Sequence, residues 1–119
     1  MGSEFIVTQI NKAAVVEFRL PSLMDPIILE SIGTQLVRLV EQEDRRIMIL
    51  DFAKVEYLSS QAIGIVISLN RKLGALPGGK LMLCGVNAKL SELIRITRLD
   101  RVLTIKPSQK EAVNAATAL

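Results

Sequence analysis

The 119-residue chain contains no histidine and no tryptophan, one tyrosine, three phenylalanines and one cysteine. Without histidine, the commonest general base and metal ligand is missing, and neither a Ser-His-Asp triad nor a Cys-His pair can be assembled. The lone Cys84 excludes an intramolecular disulfide and makes a thiolate metal cluster implausible, which points to a reducing, cytoplasmic setting. With aromatics at 3%, base stacking on aromatic platforms is not expected, so direct nucleic-acid binding is not predicted. No apolar run approaches membrane-spanning length, and Met1-Gly2-Ser3-Glu4 opens acidic rather than basic, unlike a secretory leader.

What remains is aliphatic. Half of the residues are hydrophobic, enough for one core built from Ile, Leu, Val and Ala, and the length fits a single domain over residues 1–119. Charge is unevenly distributed. Through Asp44 there are three basic and seven acidic residues, a net of −4, and from Arg45 onward twelve basic and five acidic, a net of +7. Lys and Arg are scattered along that second half, apart from Arg95, Arg98 and Arg101, whose spacing of three would line one side of a helix as a solvated face.

Phe5 to Ile10 and Ala13 to Leu20 read as two strands joined by an Asn11-Lys12 hairpin turn. Asp25-Pro26 signals a helix start, with Asp as N-cap and Pro at the first helical position. Ile28, Leu29, Ile32, Leu36, Leu39 and Val40 mark its apolar face, and it should end near Glu43-Asp44. A buried strand over Arg46 to Phe52 follows, then a loop to Ser59, then a helix from Ser60 to about Leu76. After the Pro77-Gly78-Gly79 break come a strand Lys80 to Cys84, a helix Ala88 to Ile96, a brief strand Val102 to Ile105, and a last helix capped by Ser108. This order predicts an α/β fold: a mixed sheet of four to five strands, an N-terminal hairpin followed by alternating strands and helices, with helices mainly on one face. Ile49, Ile63, Val66 and Leu83 are expected in the core.

Catalytic patterns are sparse. Pro77-Gly78-Gly79-Lys80 superficially resembles a phosphate loop, but its lysine enters a strand, whereas a nucleotide loop runs from strand to helix, so it reads as a turn. Asp25, Asp51 and Asp100 are widely separated, and each has a cap or strand-end explanation. The chain is therefore read as a non-enzyme without cofactor or metal. The stretch Val55-Glu56-Tyr57-Leu58-Ser59-Ser60-Gln61-Ala62-Ile63-Gly64 is different, because a strand ends there and two hydroxyls stand at the start of a helix. Ser60, where that helix is expected to start, can cap it, accept a phosphoryl group, or do both.

The run Ile47-Met48-Ile49-Leu50-Asp51-Phe52, continued by Val55 and Tyr57 to Gly64, resembles the signature of STAS-domain anti-sigma factor antagonists. In that family a strand leads into an Asp-Ser-Ser/Thr-Gly-Leu-Gly turn whose first serine is the phosphoacceptor. The resemblance places that role on Ser60, with Ser59 as second candidate, and Gly64 on the last glycine. Ser59 stands where the family has Asp, Gln61 where it has Ser or Thr, and Ala62 where it has Gly. The resemblance extends to Asp25 before the first helix and to Ile96-Thr97-Arg98-Leu99-Asp100 before the final strand. It implies a protein–protein switch that binds an anti-sigma factor with serine kinase activity through Asp25, Tyr57, Ser59, Ser60, Gln61 and Ala62, and so affects sigma-factor-dependent transcription. Homo-oligomers are compatible with it. A non-switching scaffold or accessory subunit in a stress-signalling or transport complex is the alternative, and small-ligand sensing ranks last. Ser60 should be accessible, with Asp25 at the same end of the domain.

Overall fold

The structure is a computed structural model that describes residues 4–117, with the side chain of Thr117 left out. Five strands form the main sheet: β1 Phe5–Ile10, β2 Ala13–Phe18, β4 Ile47–Asp51, β6 Lys80–Cys84 and β7 Thr104–Lys106, in the order β1-β2-β4-β6-β7. The pair β1/β2 is antiparallel, and the remaining neighbours are parallel. Between them run helices α1 Pro26–Glu41, α2 Ser60–Gly74, α3 Ala88–Ile96 and, last, α4 Gln109–Thr117. Parallel neighbours need crossovers, and α1 and α2 are the crossovers that place β4 beside β2 and β6 beside β4.

The central strands are buried on both faces, as their unbroken apolar runs demand. One face packs Ala14, Val16, Leu50 and Leu83 against Leu29, Ile32 and Leu36 of α1, Val66, Leu69 and Leu73 of α2, and Leu90 of α3. The other face packs Val15, Ile49 and Met82 against Ala112, Val113 and Ala116 of α4. Three helices therefore share one face, as expected, and the small residues of α4 cover the other. All three phenylalanines meet within the larger core, with Phe18 5.1 Å from Phe52 and 6.1 Å, edge-on, from Phe5. Each fully buried side chain of this size contributes roughly 1.5–3 kcal/mol.

Several expectations are corrected in detail. β2 ends at Phe18 rather than Leu20, because the chain turns away and the Pro21 carbonyl accepts from the Glu56 and Tyr57 N–H groups. That contact belongs to a second, two-stranded parallel sheet, β3 Ser22–Leu23 with β5 Tyr57–Leu58, inside what reads as loop. The last strand begins at Thr104, not Val102, since residues Leu99–Arg101 form a 3-10 turn and Val102 is exposed. α3 stops at Ile96 and Arg98 adopts a left-handed φ of 62°, so Arg95, Arg98 and Arg101 do not line one helix. Arg95 pairs instead with Glu92. Ile49, Val66 and Leu83 are buried, whereas Ile63 is half-buried. The Pro77-Gly78-Gly79 segment is a turn: Gly78 has φ +73°, and a Cβ on Gly79 would collide with the Leu73 carbonyl.

Candidate functional site

The serine pair is held by backbone bonds from three directions. Phe52 closes β4 and turns the chain through a bond from the Val55 N–H to its carbonyl. β5 is then pinned against β3, and the Ser59 N–H donates to the Leu23 carbonyl at 3.1 Å. Ser59 takes extended backbone angles as the N-cap of α2, and its hydroxyl accepts from the Ala62 N–H at 3.2 Å. The cap is thus Ser59, one residue before the expected Ser60. Ser60 occupies the first helical position, is exposed, and has no side-chain hydrogen-bond partner among the described residues. The shift follows from reach: an N-cap hydroxyl satisfies the N–H two or three residues on, and only Ser59 stands three before Ala62 with extended angles.

The start of α1 lies alongside. Asp25 caps it, its Oδ1 accepting from the Ile27 and Ile28 N–H groups at 2.9 and 3.3 Å. Gln61 bridges the two helix starts by donating to the Pro26 carbonyl at 3.4 Å. Asp25 and Ser60 therefore share one end of the fold, as expected, with the Asp25 carboxylate engaged in capping. The Asp25 carboxylate also sits at the positive dipole end of α1, whereas α2 is capped by an uncharged serine and has no acidic residue in its first turn, so its dipole end has no local carboxylate.

Around the serines lies exposed apolar surface, of which the sequence singled out Tyr57 alone. Ile27 is 82% exposed, Met24 51% and Tyr57 47%, and the Lys89 ammonium sits 4.5 Å from the Tyr57 ring centroid. Ile27 is visible in the sequence as an isoleucine next to, but outside, the buried stripe of α1. Met24 and Lys89 carry no such signal, because they reach the site only through the β3/β5 pairing and the docking of α3. A groove of about 690 Å³ runs between α1 and α2 from Gln61, past Gly33, Gly64 and Ile65, to Lys72. A second, of about 330 Å³, lies between β5 and α3, lined by Met24, Tyr57, Lys89, Leu93 and Ile96.

Among Asp25, Asp51 and Asp100, Asp51 is buried at the end of β4, where Oδ1 accepts from the Ala53 N–H and Oδ2 from the Gln109 side chain at 2.7 Å. It is a structural tie, and Asp25, Asp51 and Asp100 form no metal trio. No group of three or more acidic or Cys side chains among the described residues is arranged to hold a metal ion. Cys84 is buried beside Asp51, and burial, followed by the Asp51 and Glu17 charges, pushes its thiol pKa up to about 12.

The strand–turn–helix that follows the central strand β4 thus presents one capping and one exposed hydroxyl at the start of α2. The STAS family model matches residues 5–112, and the chain belongs to that family. An anti-sigma-factor antagonist (STAS) domain protein from Planctomyces limnophilus superposes with a TM-score of 0.83 at 20% identity, over 95% of this chain and 97% of that one. A putative anti-sigma factor antagonist from Thermotoga maritima gives 0.82 at 18% identity, over 96% and 95%. The Bacillus cell fate determinant SpoIIAA in its phosphorylated form gives 0.72 at 18% identity, over 93% and 97%. At these identities the likeness is one of fold.

Proposed function

We propose that residues 1–119 form one STAS domain acting as an anti-sigma factor antagonist in the cytoplasm. It binds an anti-sigma factor with serine kinase activity through the start of α2 and the neighbouring Asp25, Tyr57, Ser59 and Gln61, and Ser60 is the phosphoacceptor. Ala62, expected on this surface from the sequence, is instead buried in the core, because it lies on the inward stripe of α2. The observation that carries this reading is the division of labour between the two serines: Ser59 holds the cap, while Ser60 is exposed and uncommitted. The structural likeness to proteins described as antagonists, one of them phosphorylated, supports it. No described helix is long and apolar enough to cross a membrane, so membrane insertion forms no part of the proposal.

The energetics permit a switch without unfolding. A phosphoryl group adds about −1.5 to −2 charge, and the N-terminus of α2 offsets roughly 0.3–2 kcal/mol of its cost. Burying the same charge unpaired under a partner costs several kcal/mol, and every ~1.4 kcal/mol is tenfold in affinity. Phosphorylated Ser60 is thus tolerated in the free protein and rejected in the complex. Incubation with the candidate kinase from the same genome, followed by intact mass and peptide mapping, tests the assignment: one phosphoryl group on Ser60 supports it, and no modification at Ser60 removes the switch.

A second reading is a non-switching scaffold or accessory subunit that uses the same surface. It is favoured by Ser59, which replaces the acidic residue of the family turn and so removes a charge beside the acceptor. Partner binding that is indifferent to the chemistry at Ser60 would select it.

A further inference from the structure

The two edges of the main sheet are built differently. β7 has three residues, carries Lys106 and runs into Pro107, all features that discourage another strand from pairing. β1 has six residues, Phe-Ile-Val-Thr-Gln-Ile, with no charge, proline or bulge, and its register with β2 is unbroken from Phe5↔Phe18 to Ile10↔Ala13.

The bonding phase of that ladder fixes what the open edge offers. The Arg19 N–H donates to the Glu4 carbonyl at 2.9 Å, so Glu4, Ile6, Thr8 and Ile10 direct their N–H and C=O groups toward β2. Phe5, Val7 and Gln9 therefore direct theirs outward, and no group among the described residues bonds them. Three donors and three acceptors centred on Val7 are complementary to an antiparallel copy of themselves.

We propose that β1 pairs with β1 of a second copy of this chain, about a two-fold axis through Val7 and perpendicular to the sheet. Val7 faces Val7 of the second copy, Phe5 faces Gln9, and Ile6, 44% exposed, faces Thr8 on the α4 side of the sheet. The flanking charges agree with this register. The acidic start of each strand, Glu4, is brought toward the basic far end of the other, where Lys12 forms the hairpin turn and Arg45 bonds the Gln9 side chain. Glu4 also carries a shielded carboxylate oxygen with no hydrogen-bond partner among the described residues. The product is a continuous ten-stranded sheet. Because the axis reverses strand direction, the two Ser60-bearing ends point opposite ways, leaving both free. A ladder this short makes a small interface, so the association is concentration-dependent.

A charge-swap pair measured by sedimentation across a concentration series tests the proposal. The wild type should rise from 13.1 kDa toward twice that mass with concentration. Ile6→Lys/Thr8→Lys sets like charges directly opposite each other across the axis, as does Ile6→Glu/Thr8→Glu, and each variant alone should stay monomeric. An equimolar mixture of the two should restore the dimer. Both sites are exposed, and circular dichroism of each variant checks that the fold is kept. A wild type that stays monomeric throughout, including one whose edge is used only by a different protein, overturns the proposal. So does a dimer that survives either double substitution, or a mixture of folded variants that fails to associate.

Discussion

The Ser59 hydroxyl accepts a hydrogen bond from the Ala62 N–H at 3.2 Å, and this one contact separates the two serines by role. Ser59→Ala removes a cap and should cost ~1 kcal/mol, with a range of about 0.5–2. Ser60→Ala removes an exposed hydroxyl with no partner and should fall within about 0.5 kcal/mol of wild type. Urea titration of both variants checks the order, and the reverse order would restore the cap to Ser60.

Gly85 is where β6 leaves the sheet, with φ +69°, and a Cβ there would lie 2.8 Å from both the Ala53 nitrogen and Asp51 Oδ1. Gly85→Ala should therefore destabilise by about 1–3 kcal/mol, from left-handed strain together with the clash. Asp51→Ala should cost a comparable ~1–3 kcal/mol, because it leaves the Ala53 N–H and the Gln109 side chain without their acceptor. Thermal melts of the two variants provide the readout.

Gly64 behaves in the opposite sense. It lies inside α2, and a Cβ there would meet nothing within 4 Å. Gly64→Ala should stabilise the protein by about 0.5–1 kcal/mol through helix propensity and a less flexible unfolded chain. A gain in the urea midpoint with loss of partner binding would assign the α1/α2 groove to the interface.

Cys84 supplies a pH-dependent prediction. Its folded pKa of about 12 lies above its ordinary value of 9.0, so folding favours the protonated thiol. The contribution of this group to stability is complete below pH 9 and is lost as pH rises toward 12. At pH 8 the native protein should resist thiol reagents and label only after denaturation, and rapid native-state labelling would contradict the burial.

The sequence made most of this fold legible where local chemistry and periodicity agree. Asn11-Lys12 marks the hairpin, and Asn11 adopts the left-handed φ of 54° that such a turn uses. Asp25-Pro26 marks α1, and α3 falls on Ala88–Ile96 as expected. The β3/β5 pair is hidden because two-residue strands have no periodicity, and its pairing depends on a contact between distant segments. The final strand shifts because Arg98 ends one helical segment with a left-handed residue, which no pattern of side chains announces. At the site, adjacent serines are equivalent in composition, and only backbone geometry decides which of them caps. The exposed Met24 and Lys89 join the site through tertiary pairing alone.

The affinity of wild type, Ser60→Ala and Ser60→Asp for a purified anti-sigma kinase tests the central claim most directly. Asp at the first helical position suits the helix dipole, so folding should be unaffected and any change in binding reports the interface. The account predicts that Ser60→Ala binds as wild type does, loses phosphorylation, and that Ser60→Asp binds at least about tenfold more weakly, equivalent to ~1.4 kcal/mol. Equal affinities for all three proteins would contradict a switch at Ser60.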